Sequence, residues 1–250
     1  MNKPLRVFYR HLRIFERTWR HNLMFNVVEP LLYLSALGFG LGAFVQEMNG
    51  MSYIQFIAPG MVTLSAMYSA TFECTYGTFV RLHFEKTFHA MLATPVTVRD
   101  IVLGEIMYGT FKSVVFGTII LGVITALGLV HSGYALAIPL LLMLQGLIFS
   151  SAAISYTAIT DVIDYLNYYI TLVILPFFLF GGLYFPVNSL PEWLQLINWI
   201  NPLYHTVEVC RALALGQTAP SLWLHVLALA VIGALLLPIP LKLMEKRLLS

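Results

Sequence analysis

Six apolar runs, at 24–45, 54–80, 101–130, 136–160, 166–186 and 221–241, follow one another at intervals too short to leave a soluble domain between them. A hydrocarbon core takes about 20 helical residues to cross, and a helix satisfies its own backbone hydrogen bonds there. The chain is therefore predicted to be an all-α integral membrane protein, one transmembrane domain over 1–250. With 59% hydrophobic and 10% charged residues, it lacks the polar surface that would keep a 250-residue globule in water. Gly104, Gly109, Gly117, Gly122 and Gly128 in the long third run predict close helix approach or bending.

Ahead of the first run, Arg6, Arg10, Arg13, Arg17 and Arg20 recur at steps of four and three, and Phe8, Leu12, Phe15 and Trp19 follow two residues out of phase. Two residues turn a helix by about 200°, so the stripes oppose, and 4–21 is predicted as an amphipathic interface helix. Its arginines would meet lipid phosphates or a partner's carboxylates. Basic residues spread through this stretch with no A-x-A site after the apolar run, so that run is expected to be kept as a span. Twelve of the fourteen Lys and Arg fall in 1–23, 81–100 and the tail, against Arg211 opposite and Lys112 within a span. This asymmetry predicts both termini on the cytoplasmic side and an even number of spans.

Catalytic chemistry finds no constellation to rest on. The Gly104–Gly109 stretch resembles a phosphate loop only superficially, because Lys112 and Ser113 fall out of register with the second glycine. Cys74 and Cys210 are isolated and read as buried small residues, with no metal-ligand spacing around them. Asp161 and Asp164 read as solvated loop residues, and His205 and His225 as hydrogen-bonded structure. A net charge of +2 is too small to suggest nucleic-acid binding.

Ionisable groups in or beside spans are costly, which singles out Glu29, Glu73, Glu105 and Lys112. Glu105 and Lys112 are seven apart and share a helix face, either as a solvated pair lining a passage or with Lys112 snorkelling to the cytoplasmic edge. The 81–100 connection is too polar to span. Within it Phe84, Phe88 and Met91 or Leu92 form one apolar helical face and Thr94-Pro95 stops the helix, which suits docking to a cytoplasmic partner. Between the last two spans, Pro191 starts a short helix and Asn201-Pro202 breaks it, so 187–215 is predicted as a re-entrant hairpin in the outer leaflet. Glu208 and Arg211, three apart, would neutralise one another there. Tyr165, Tyr168, Tyr169 and Tyr184 offer faces to sugars or acyl chains, or form an ordinary interfacial belt.

Gly181-Gly-Leu-Tyr-Phe-Pro186 through Leu190-Pro191, Asn201-Pro202-Leu-Tyr-His and Arg211-Ala-Leu-Ala-Leu-Gly216 resemble, in order and spacing, the C-terminal signature of ABC-2 type exporter membrane subunits. The likeness is strongest to the nodulation-type lipo-oligosaccharide and drug-resistance branches. Glu85-Lys-Thr-Phe-His-Ala-Met-Leu-Ala-Thr-Pro95 is similar to the family's coupling helix. The resemblance implies six spans, an interface helix, a homodimer in the bacterial inner membrane, and two copies of a separate ATPase subunit that hold ATP and Mg. No cofactor is then expected in this chain itself. It implies that ATP-driven closure enters the membrane through 84–95 and 4–21, with Phe84, Glu85, Lys86, Phe88, Met91, Arg13 and Arg17 as candidate contacts. Glu105, Lys112, Gly181, Gly182, Tyr184, Phe185, Asn201, Pro202, Glu208 and Arg211 are the candidates for the substrate path or outer gate. The cargo implied is amphipathic, a lipo-oligosaccharide, a lipid-linked glycan or a drug.

An ATP-independent secondary transporter or channel is the alternative, and it predicts inverted repeats, of which none is convincing between the halves. An intramembrane enzyme would need converging acids and histidines. A passive scaffold leaves the charged span residues and the 84–95 segment without a role.

Overall fold

The computed structural model describes residues 3–45, 47, 48, 50–217 and 219–249, and among these it contains helices and no β-strand. Helix α1, Lys3–Ser35, runs on through a π turn at Ala36–Gly40 and a 3-10 turn at Leu41–Ala43. The interface helix 4–21 and the first span, expected as separate elements, are one helix, because no helix-breaking residue lies between them. The first part of its aromatic stripe faces protein, where Phe8 and Phe15 set their rings edge-on to Phe111 and Val7 and His11 are buried, whereas Trp19 is exposed. Arg6, Arg13, Arg17 and Arg20 are on the exposed side. At Gly104 a Cβ would come within 2.6 Å of Val7 Cβ, so the glycine is what lets α1 lie directly on α4.

Helix α2, Tyr53–Phe72, opens on a capping box between Ser52 and Gln55 and continues through π turns at Glu73–Gly77 and Val80–Phe84. It packs against α1, α4, α5 and α9, and 16 of its 20 residues are buried. A helix surrounded by protein packs through small and hydroxylic side chains, here Gly60, Thr63, Ser65, Ser69 and Thr71. That composition separates it from the five helices long and apolar enough to cross a membrane: Asn22–Ala43, Val98–Ala126, Gly133–Ile159, Ile163–Phe180 and Leu222–Leu249.

After a left-handed Lys86 (φ 52°) comes the short α3, Thr87–Leu92. The sequence placed Phe84 on this helix, but Phe84 ends the π extension of α2. Helices α4, Val98–Ala126, and α5, Ile138–Ile159, pack along their lengths around α2, with Ser113 Oγ donating to the Leu142 carbonyl. The fifth run folds as α6, Leu166–Tyr169, a π turn at Ile170–Ile174, and α7, Leu175–Phe180. Two helices follow: α8, Glu192–Asn198, and α9, Pro202–Leu215, which ends on Gly216 at φ 78°. Helix α9 is buried against α2, α5 and α10. Helices α10, Leu222–Leu236, and α11, Pro238–Leu249, close the chain. The first turns Leu224, Leu227, Val231 and Leu235 outward, as a lipid-facing helix would. Arg247 donates to the Thr157 and Ala158 carbonyls at the end of α5, which ties down the tail, and also to Asp161, which remains the solvated loop residue expected at 86% exposure.

Candidate functional site

The π turns at the end of α2 carry Glu73 and Arg81, and each widened turn re-aims the side chains after it relative to a regular helix. Arg81 is swung into the bundle. Its Nη1 donates to Glu73 Oε1 at 2.7 Å, and its Nε and Nη2 grip both oxygens of Glu105 on α4 at 3.1 and 2.5 Å. Thr78 donates to Glu105 Oε2 at 3.0 Å. Lys112 of α4 donates to Glu73 Oε2 at 2.8 Å and to Asn22 Oδ1 of α1 at 2.6 Å. His11 Nε2 lies 2.9 Å from Glu105 Oε1 but off the line of a good hydrogen bond, and its ring stacks on Tyr108.

Two carboxylates and two cations therefore balance inside the bundle, joining α1, α2 and α4. Glu105 is 1% exposed and Arg81 11% exposed, so ion pairing is what makes their burial tolerable. The two-pronged Arg81–Glu105 contact is the strongest geometry such a pair adopts. Glu105 and Lys112 share α4 as expected, but neither pairs with the other, and neither is a solvated or snorkelling group. The charge pattern places Arg81 in a loop, and nothing in the sequence singles out Asn22 or His11 as its companions in the network. The sequence signal was Glu73 and Arg81 at two-turn spacing, visible only if the helix is known to continue past residue 80.

Above Lys112 a cleft of about 540 Å³ opens between α1 and α2. Asn22, Asn26 and Glu29 form one wall, and Tyr68, Phe72 and Tyr76 the other.

Directly beyond Arg81 the chain turns outward. Phe84 is 65% exposed, and Glu85 and Lys86 are exposed beside it. Phe88 is fully buried and Met91 partly so, which makes them the roots of α3 rather than its outward face. The apolar helical face drawn through Phe84, Phe88 and Met91 is thus split by the turn at Lys86. Arg13 and Arg17 are exposed on α1, where Arg13 donates to Tyr9 Oη and pairs with Glu16.

At the other end of α2 a second cluster gathers most of the candidates from the C-terminal third. Arg211 donates to the carbonyls of Phe56 at 3.2 Å and Gly182 at 2.6 Å and to Glu208 Oε1 at 2.8 Å. Its guanidinium also lies over the Phe56 ring at 3.9 Å. Gly182 sits at φ 76°, a conformation that only glycine adopts without strain. Asn201 caps α9 through the Leu203 N–H and donates to the Phe177 carbonyl, while Asn198 donates to that of Phe180. These two amides satisfy the open end of α7. Pro202 is the first residue of α9, where a missing N–H costs nothing. Gly181 lies against the Phe177 carbonyl and Phe185 is half-buried, while Tyr184 has a buried hydroxyl without a partner among the described residues. His205 donates to the Trp199 carbonyl and meets His225 at 2.8 Å, a structural pairing of α9 with α10. The two cysteines are buried and unpaired, and the described residues hold no group of three or more metal-ligating side chains.

Apolar helices around a buried ion network define a polytopic integral membrane protein. The ABC-2 type transporter family matches residues 6–215. Nodulation protein J of Rhizobium meliloti (strain 1021) is 39% identical over 226 residues, covering 89% of this chain and 85% of that protein. Nodulation protein J of Sinorhizobium fredii (strain NBRC 101917 / NGR234) is 34% identical over 98% of this chain and 93% of its own length. The inner membrane transport permease YadH of Escherichia coli (strain K12) is 26% identical over 84% of this chain and 82% of that protein. The chain belongs to the ABC-2 type transporter family. Its role is therefore in transport, as a permease component and not as a catalyst, and members of this family work with a nucleotide-binding ATPase.

Proposed function

We propose that this chain is the membrane-spanning subunit of an ATP-driven exporter that carries an amphipathic cargo, a lipo-oligosaccharide, lipid-linked glycan or drug, out of the cytoplasm or inner leaflet. In this reading α2 is the sixth span and both termini face the cytoplasm of a bacterial inner membrane. The start of α1 lies at the membrane interface, and 187–215 dips into the outer leaflet. Two copies of the chain work with two copies of a separate ATPase, which hold ATP and Mg.

One observation carries the reading: the exposed Phe84-Glu85-Lys86 corner is continuous with Arg81, and Arg81 holds Glu73 and Glu105 of the buried network. A push on that corner has a hydrogen-bonded path to α1 and α4 through Arg81, Glu73, Glu105 and Lys112. ATP-driven closure of the partners would displace the corner, and the ion network would pass the displacement to the cleft between α1 and α2. The cleft then alternates between two populations that differ in their affinity for the closed ATPase dimer. The likeness to nodulation J proteins supports the lipo-oligosaccharide branch as cargo.

The test is purification of the tagged chain in mild detergent, with identification of co-purifying proteins and an ATPase assay. Recovery of a soluble nucleotide-binding subunit with ATP turnover is expected. A stable oligomer of this chain that transports without any ATPase would favour the secondary-transporter or channel alternative.

A further inference from the structure

A second cavity, of about 500 Å³, lies further along the first helix from the cleft over Lys112. Asn22, Asn26 and Glu29 of α1 line the first cavity, and Tyr33 of α1, with Leu37 and Leu41 in the π and 3-10 turns that extend it, follows at steps of four to line the second. Phe178 of α7 marks the join, with the Tyr33 ring 5.9 Å and the Tyr68 ring 6.1 Å from its centroid. Leu179, Tyr184 and Phe185 also line the second cavity, and the Tyr184 ring meets Phe178 edge-on at 5.3 Å. The two cavities differ in character, the first polar beside Lys112 and the second aromatic around Phe178 and otherwise apolar.

The first cavity has a definite chemistry. Lys112 is the one cation among the lining residues, and Glu73 and Asn22 already engage it. Glu29 is exposed and has no charged neighbour or hydrogen-bond partner among the described residues. A bare carboxyl group on a membrane-crossing helix is unfavourable against hydrocarbon, so this stripe faces something polar. Phe72 and Tyr76 stack at 6.1 Å and line the same cleft as Asn26. Carboxyl and amide oxygens take hydroxyl donors, and aromatic faces take the C–H face of a sugar ring. A phosphate or carboxylate head would find no unengaged cation here among the described residues.

We propose that the two cavities act as one groove that seats an amphipath lengthwise, with an uncharged, hydroxyl-rich head against Asn26 and Glu29 and its acyl chain along Leu37, Leu41 and Phe185. This rests on the export reading and adds to it the class of head group and the direction in which the cargo lies.

The full chain with its co-purified ATPase would be photolabelled with an alkyl glucoside and with an alkyl phosphate of equal chain length, each carrying a terminal diazirine. The glucoside is expected to label peptides covering 33–45 and 175–185, and the phosphate several-fold less. Losing two hydrogen-bonding partners should lower glucoside labelling about tenfold in the Asn26→Ala/Glu29→Ala double variant. Glu29→Gln, which keeps an acceptor, should lower it far less. Equal labelling by the phosphate probe, labelling spread over the outward face of α10, or indifference to the double variant would overturn the proposal. An interchain disulfide formed by Asn26→Cys in place of labelling would also overturn it, by showing that a second copy covers the stripe. Loss of ATP turnover in the same sample with labelling intact would sink the export reading alone.

Discussion

The two ends of α2 each bury an arginine, and they satisfy it in opposite ways. At one end Arg81 is held by carboxylates from two elements, Glu73 and Glu105, with Lys112 and Asn22 extending the chain of contacts to α1. At the other end Arg211 is held largely by backbone, the carbonyls of Phe56 and Gly182, and by the Phe56 ring. Side-chain ion pairs can be exchanged as helices slide, because each member has other partners within reach. A guanidinium locked to backbone carbonyls moves only when the backbone does. The Arg81 end is thus suited to transmitting a displacement, and the Arg211 end to fixing the corner about which it occurs.

Breaking the two ends should show that difference. Arg81→Ala leaves Glu105 buried with its two-pronged partner gone, and loss of one member of a buried pair costs about 3–5 kcal/mol. We expect a large fall in melting temperature in detergent, with partial recovery in Arg81→Ala/Glu105→Gln, where the stranded charge is also removed. A double variant no more stable than the single would count against pairing as the source of the loss.

Arg211→Ala should cost less, about 2–3 kcal/mol, because its carbonyl partners are neutral and Glu208, 33% exposed, can turn to water. The sequence paired Arg211 with Glu208 alone. With two carbonyls and a ring also lost, Glu208→Gln is expected to recover only about 1 kcal/mol in a double-mutant cycle. Full recovery would mean that the backbone latch contributes nothing.

The same contrast decides what could be read in advance. The positive φ of Gly182, the cap at Asn201 and the helix end at Gly216 came with the structure, but the Arg211 end was legible in part from local punctuation: Pro191 as the start of one short helix and Asn201-Pro202 as its break. Such residues announce their backbone geometry without reference to the rest of the chain. The Arg81 end was not, because the π turns at Glu73–Gly77 and Val80–Phe84 break the periodicity on which helical faces are drawn. A basic residue at the edge of a span therefore counted as a loop charge, and Phe88, buried, was drawn on the face that docks. The apolar stretches of α4, α5 and α10 were legible by run length, since lipid demands continuous hydrophobicity. The stripe on α1 was legible as amphipathic, yet whether its aromatic side meets lipid or α4 depends on Gly104, a tertiary fact.

Asn201→Ala sharpens the comparison at the latched end. It removes a helix cap and a donor to the Phe177 carbonyl, and caps of this kind contribute about 1 kcal/mol. A small drop in melting temperature is expected, with ATP turnover in the complex otherwise preserved. A loss of coupling as large as that from Arg81→Ala would mean that the Arg211 end also moves.

The smallest effect on stability, and the most telling for function, belongs to Phe84. It is 65% exposed, and among the described residues Phe79, 5.9 Å away, is its one aromatic neighbour. Removing an exposed ring changes stability by less than about 0.5 kcal/mol. Phe84→Ala should therefore fold and insert normally, whereas Phe88→Ala, at a fully buried position, should lose about 3 kcal/mol or more by cavity formation. If the corner is where the partner pushes, Phe84→Ala lowers co-purification of the ATPase or its cargo-stimulated turnover without moving the melting temperature. Unchanged binding and turnover in that variant would detach the ion network from the partner, leaving Arg81 as a structural clamp with no part in coupling.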